Sequence, residues 1–202
     1  MFIRRTANAG VELTLSGTKV LLDGVSPAYG PYLGTPENIR RTLLQEPADA
    51  LAFTHHHPDH YDREFAEAFA AQTHRPILEP VGQVFQLGQL TVTAEESRHI
   101  GAAGKNTPHV SYFIEGDRQV WFLGDASPLQ FRDRQMPDVL IVPFAYAATP
   151  AAWNMAKHAR HVILLHMPRK DQDEFGIWAA VEKTTAGAEN LYIPEMGEGY
   201  NL

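Results

Sequence analysis

The sequence predicts a single α/β domain spanning residues 1–202, on three observations. Short apolar runs, each about the length of a buried strand, recur along the chain and alternate with stretches of helical spacing. Several of these runs end in a His or an Asp, the placement that open α/β folds use for their chemistry. The 202 residues, 44% of them hydrophobic, can bury one substantial core, and no repeat, low-complexity tract or linker divides them.

Taken in order, Val11 to Leu15 (VELTL) and Lys19 to Asp23 (KVLLD) read as strands joined by Ser16-Gly17-Thr18. Ser26 to Gly34, rich in Pro, Gly and Tyr, is loop. Thr35-Pro36 opens a helix through Gln45, with Thr35 as N-cap, Pro36 at the first position and Ile39, Leu43 and Leu44 on one face. Asp49 to Phe53 (DALAF) is a short buried strand. A second helix runs from Asp62, its N-cap, to Thr73, with Phe65, Ala68 and Phe69 on one face. Pro76 to Glu79 is a short strand, and Val84–Gln86 and Leu90–Thr93 make a hairpin about Leu87-Gly88-Gln89. That second strand continues to His99 and a Gly-rich loop, Gly101 to Asn106. Val110 to Ile114 (VSYFI) pairs with Gln119 to Leu123 (QVWFL), which ends in Gly124-Asp125. Strand Asp138–Val142, helix Pro150–His158, strand Val162–Leu165, helix Asp171–Thr184 and strand Leu191–Ile193 complete the chain.

Between the DALAF strand and the second helix lies Thr54-His55-His56-His57-Pro58-Asp59-His60-Tyr61-Asp62, which holds four of the ten histidines and two carboxylates. Imidazole is the commonest side-chain metal ligand and carboxylates add charge that holds a divalent ion, so this strand-to-helix loop reads as a metal loop. The chain has no cysteine, so thiolate ligands and disulfides are excluded and any metal is held by nitrogen and oxygen. A formal net charge of -7 without blocks of like charge argues against nucleic acid as the main partner. No apolar run is long enough to span a membrane, and the N-terminal MFIRRTANAG lacks the apolar stretch of a secretory signal. A cytoplasmic enzyme is expected.

The loop resembles the signature of the metallo-β-lactamase fold hydrolases, T-H-x-H-x-D-H, with Thr54, His55, His57, Asp59 and His60 at the defining positions and His56 and Pro58 at the variable ones. The resemblance implies a four-layer αββα sandwich holding two divalent metal ions, zinc first, with manganese or iron as alternatives. It assigns His55 and His57 to one metal, Asp59 and His60 to the other, Asp125 of the Gly-Asp motif as the bridge, and His166 as the last ligand of the second metal. Asp23 stands where the family carries an Asp that supports the metal loop. The family's third motif is a histidine before the strand pair that ends in Gly-Asp, and His99 and His109 compete for it. His99 ends a strand and leaves room for a loop and both strands before Asp125, so it is the expected ligand. His109 then lies on the substrate side or behind a ligand. His74, His158 and His161 sit beside helix ends, where no site role is needed.

Together these residues imply hydrolysis of an ester, lactone or phosphodiester of a small anionic metabolite by a metal-bridged hydroxide, with Asp59 guiding a proton and His109 as a further catalytic group. The compact layout is most similar to the small lactonase-like branch that includes ascorbate-6-phosphate lactonase. It lacks the helical extension of glyoxalase II and the basic arm of transfer-RNA 3′-processing nucleases. A nuclease of that type or an iron-dependent redox protein is the alternative. Arg98, Lys105, Arg169 and Lys170 are candidates to hold a substrate anion, and Tyr29, Tyr32, Tyr146 and Trp153 to line a pocket. The sequence leaves the oligomeric state open.

Overall fold

The computed structural model describes residues 1–78, 82–101 and 107–202. In chain order the elements are β1 (Phe2–Arg5), β2 (Val11–Leu15), β3 (Thr18–Leu22), α1 (Glu37–Gln45), β4 (Ala50–Ala52), α2 (Arg63–Thr73), β5 (Ile77–Leu78) and β6 (Gln83–Leu87). They continue with β7 (Leu90–Glu96), β8 (Val110–Glu115), β9 (Gln119–Phe122), β10 (Val139–Pro143), α3 (Ala145–Ala148) and α4 (Pro150–Ala156). The last are β11 (His161–Leu165), α5 (Ile177–Thr184), β12 (Leu191–Tyr192) and β13 (Gly199–Asn201).

Among the described residues, the first sheet has the order β13-β1-β2-β3-β4-β5 and the second β12-β11-β10-β9-β8-β7-β6. The inner strands are buried on both faces, and their alternation sorts side chains into three interlayer cores. Val20, Leu22, Ala50 and Ala52 of the first sheet meet Tyr112, Phe122, Ile141 and Ile163 of the second. Leu21, Leu51 and Phe53 point the other way, against Ile39 and Leu43 of α1 and Phe65 and Phe69 of α2. Leu140, Val142, Val162 and Leu164 likewise face Tyr146, Trp153 and Val181 on α3, α4 and α5. The layers are therefore αββα, as the resemblance implies. No described helix is long and apolar enough to cross a membrane.

Several local expectations need correction. Thr35 does not cap α1, whose N-cap is Pro36 with no side-chain bond; its hydroxyl instead accepts from the Ser26 amide at 3.2 Å and closes the preceding loop. The last helix starts at Ile177 rather than Asp171. Gly176 (φ 65) breaks the run, and the Asp173 carboxylate reaches forward to accept from the amides of Ile177 and Trp178, each at 2.8 Å. The N-terminal residues form β1, which carries too few apolar residues to be read as a strand and pairs with β2 on one side and with the edge strand β13 on the other. Asp62 does cap α2, accepting from the Phe65 amide at 2.9 Å, and Arg40 of α1 holds its other oxygen at 2.5 Å. The expected strand end at Glu79 and the Gly-rich loop 102–106, with Lys105, lie outside the described residues.

Candidate metal centre

The parallel strands β3 and β4 in one sheet and β9, β10 and β11 in the other end at the same edge of the sandwich. The residues that follow them are Asp23, the 54–62 loop, Asp125 and His166, so strand polarity gathers four distant segments. His99 arrives from the loop after β7 and is paired by a bridge to Ala126, the neighbour of Asp125. Two backbone features fix these ends. Gly124 (φ 52) turns β9 into Asp125, and a Cβ there would lie 2.6 Å from the Thr54 methyl, so glycine lets Asp125 approach the metal loop. Asp23 and His166 both hold positive φ (45° and 59°), a conformation costly for residues with a Cβ and typical of functional positions.

Asp23 is completely buried and organises the loop. Its Oδ1 accepts from the Thr54 amide at 2.7 Å, and its Oδ2 accepts from the Thr54 hydroxyl at 2.6 Å and lies 2.8 Å from His60 Nδ1. With its proton given to Asp23, the Thr54 oxygen is an acceptor for His55 Nδ1, 3.0 Å away. His99 Nδ1 likewise faces its acceptor, the Ile100 carbonyl, at 2.6 Å. Three imidazoles thus turn Nδ1 toward protein oxygens, which selects the tautomer with a free lone pair on Nε2. Among the described residues the Nε2 atoms of His55, His60 and His99 are buried without a hydrogen-bond partner.

Those atoms converge with the remaining candidates. His55, His57 and His99 can place one ligand atom each within 4.8 Å of one another, as can Asp59, His60 and His166, and also His55, His60 and Asp125. Asp125 Oδ2 lies 3.5 Å from His60 Nε2 and 3.6 Å from Nε2 of both His99 and His166, the position of a carboxylate shared between two clusters. Asp59 Oδ2 is 3.0 Å from His166 Nε2. This set of nitrogen and oxygen donors, with orphaned imidazole atoms facing one carboxylate, fits divalent transition metals.

The electrostatics follow from burial and crowding. Burial pushes the His55 pKa down, with His60 and His109 adding to it, and burial and His99 lower that of His57. Burial alone would raise the Asp125 and Asp59 carboxyls, but the imidazoles around them win and hold both below the usual carboxylate range. Burial also acts against the charged form of His60, yet Asp125 and Asp23 outweigh it and raise its pKa to about 10. Without a metal, Nε2 therefore keeps a proton facing Asp125, and a metal held there would take that proton's place. Both carboxylates are therefore ionised and ready to hold a cation.

His109 does not occupy the substrate side. Its Nε2 accepts from the Asp125 amide at 3.0 Å, so its proton is on Nδ1, which donates to Ser97 Oγ at 2.7 Å. Ser97 Oγ is 3.0 Å from Ser111 Oγ, and the Ser111 hydroxyl donates to the Leu123 carbonyl at 3.1 Å. With both nitrogens taken by the protein, His109 has no atom to offer a substrate. Of the two places expected of it, this is the one behind a ligand candidate, where it holds the Asp125 backbone. Burial lowers its pKa to about 3, against the opposing field of Asp125. Ser97 and Ser111 were not legible as site residues, since lone serines carry no pattern.

Of the remaining candidates, His56 is exposed, with its ring 4.4 Å from Tyr61. Arg169 is engaged by Asp171 at 3.0 and 2.7 Å and Lys170 sits over Trp178, so neither is set aside for a substrate anion. Tyr146 and Trp153 belong to the core beneath α3 and α4, and Tyr29 is exposed. Tyr32 meets the site edge-on, its ring centroid 4.3 Å from that of His166, and the buried Tyr146 hydroxyl also feels the charge of Asp125.

A model of the beta-lactamase superfamily domain matches residues 5–165, most of the chain and every site residue but His166. The chain belongs to the beta-lactamase superfamily. No curated protein sequence matches it. Solved structures of superfamily shape include a possible metal-dependent hydrolase from Veillonella parvula, 18% identical, covering 100% of this chain and 99% of the other at TM-score 0.69. An isothiocyanate hydrolase from Delia radicum gut bacteria is similar at 16% identity, 100% and 99% coverage and TM-score 0.65. A diiron beta-hydroxylase from Streptomyces venezuelae is similar at 15% identity over 100% of this chain, but 54% of its own, at TM-score 0.68. At these identities the likeness is one of fold.

Proposed function

We propose that this superfamily member is a metal-dependent hydrolase of an ester, lactone or phosphodiester of a small metabolite, with a lactone first among these. His55, His57 and His99 would hold one divalent ion and Asp59, His60 and His166 the other, with Asp125 between them. Bound there, such ions supply a Lewis acid and bring the pKa of a water molecule toward neutrality. The chain's own contribution is orientation and proton handling. Asp23, Thr54 and Ile100 fix the imidazole tautomers, and His109 fixes Asp125 through its amide. Asp59, ionised and 8% exposed, is the carboxylate through which a proton can reach a leaving group.

The convergence of Nε2 from His60, His99 and His166 on one buried oxygen of Asp125 carries this reading. Its test is elemental analysis followed by a panel of chromogenic esters, lactones and phosphodiesters with zinc-, manganese- and iron-loaded protein. Close to two metal equivalents per chain, chelator-sensitive turnover, and a large loss of turnover in Asp59→Asn with little loss of stability are expected. Turnover unchanged in chelated protein would refute it. The sulfur-free His and carboxylate set also suits a diiron oxygenase, and the hydroxylase of similar fold keeps that second reading in view. Oxygen uptake by reduced, iron-loaded protein, with no hydrolysis in the panel, would select it.

A further inference from the structure

The loop between β3 and α1 is fastened at both ends of its span. At its base the Thr35 amide donates to the Ser26 carbonyl at 2.9 Å and the Ser26 amide to the Thr35 hydroxyl. Within it, Tyr29-Gly30-Pro31-Tyr32 forms a tight turn, with reciprocal backbone bonds between Tyr29 and Tyr32 and Gly30 at φ 54°. The Pro31 carbonyl accepts from the Arg169 amide at 3.0 Å, three residues past His166. The turn is thereby tied to the segment that carries the last ligand candidate.

This fastening lays Tyr32 edge-on against His166, with ring centroids 4.3 Å apart and planes at 73°. The ring is half-buried, and the carboxylates of Asp59 and Asp125 both act electrostatically on its phenol. Among the described residues its hydroxyl has no hydrogen-bond partner. A phenol is a good donor on a short, stiff side chain, with only two torsions to order. Such a group, fixed beside a metal-ligand cluster and uncommitted to the protein, is suited to a ligand oxygen.

We propose that Tyr32 is a substrate-contacting residue whose hydroxyl donates a hydrogen bond to the negatively charged oxygen of the substrate or product at this site. The proposal rests on the hydrolase reading for what that ligand is, though not for whether an oxyanion binds. The flanking cations Arg169 and Lys170 are engaged by Asp171 and Trp178, which leaves the Tyr32 hydroxyl as an uncommitted donor beside His166.

The test compares wild-type and Tyr32→Phe protein, both zinc-loaded, by calorimetric titration with inorganic phosphate, with the chelated proteins as controls. Phe keeps the ring against His166 and removes only the donor. We expect equal zinc content, equal melting temperature, and a phosphate Kd raised about tenfold, the loss typical of a hydrogen bond to a charged group. On any ester or lactone the wild type cleaves, kcat should fall in the variant by a similar factor. An unchanged phosphate Kd, or no zinc-dependent phosphate binding by the wild type, would overturn the proposal. So would the loss of a zinc equivalent in Tyr32→Phe, which would make Tyr32 a ligand. A wild type that binds phosphate through Tyr32 but cleaves nothing in the panel would instead count against the hydrolase reading.

Discussion

The first sheet supplies the centre with one continuous loop, residues 54–62, whereas the second supplies single residues, His99, Asp125 and His166, from three separate segments. The loop is held from beneath by one completely buried side chain: Asp23 takes the Thr54 amide, the Thr54 hydroxyl and His60. The second group is held mainly by backbone, through the amides of Asp125 and His166 and the His99–Ala126 bridge, with His109 as the side-chain acceptor for the Asp125 amide. One half should therefore fail as a unit and the other piece by piece. The difference teaches that a site assembled from a loop concentrates its dependence in one buried residue, while a site assembled from strand ends spreads it over the sheet.

Breaking the loop half should have the largest effect. Asp23→Ala leaves three donors buried without an acceptor, a loss of about 3–5 kcal/mol by the cost of breaking buried charge-assisted pairs. It should lower metal content in both clusters, because His55 and His60 lose their orientation together. Denaturant titration with metal analysis checks both, and a variant that keeps two metals would show that the loop orders itself without Asp23.

The seam between the halves comes next. Gly124→Ala forces a Cβ against Thr54 at a positive φ, and should cost about 1–3 kcal/mol by overpacking and backbone strain. Since the clash involves the residue beside Asp125 and the first residue of the loop, turnover should fall along with stability. A neutral outcome would mean that the halves can part without losing the site.

Breaking the strand-end half through its side-chain support should do less. His109→Gln keeps a group able to accept from the Asp125 amide, whereas His109→Ala removes it at about 1–3 kcal/mol. With the pKa of His109 at about 3 in the folded state, against 6.5 when free, the unfolded chain takes up a proton that the folded chain refuses. Stability from His109 is therefore complete above about pH 6.5 and declines as pH falls toward 3. In chelated protein, His109→Gln should flatten part of that decline relative to wild type, and unfolding free energies between pH 4 and 8 would show it. Equal slopes would place the buried imidazole elsewhere.

Asp62 gives the smallest effect and sharpens the boundary of the loop half. Asp62→Ala removes the N-cap of α2 and the bond from Arg40, for about 1 kcal/mol. Burial works against the ionised carboxyl, but Arg40 and the Phe65 amide outweigh it and hold its pKa below the ordinary value. Its contribution is thus present at neutral pH and lost as pH falls through that depressed value. Metal content should not change, since Asp62 faces the helix and not the cluster.

The sequence by itself determined the loop half nearly completely. Thr54, His55, His57, Asp59 and His60 lie within seven positions, and spacing alone puts them together. The polarity of apolar runs ending in Asp23, Asp125 and His166 also survived folding, because parallel strands in one layer must end at the same edge. The sequence ranked His99 above His109 without deciding between them, since both flank the same hairpin. Only the tertiary structure showed that His109 turns both nitrogens inward, through Ser97 and the Asp125 amide, while His99 keeps Nε2 free among the clusters. It alone also moved Thr35 from a cap to a loop closure, made a strand of the N-terminal residues between β13 and β2, and laid Tyr32 on His166. These depend on which way a side chain turns and what lies across the chain from it. Such choices are set by long-range packing, and local spacing carries no record of them.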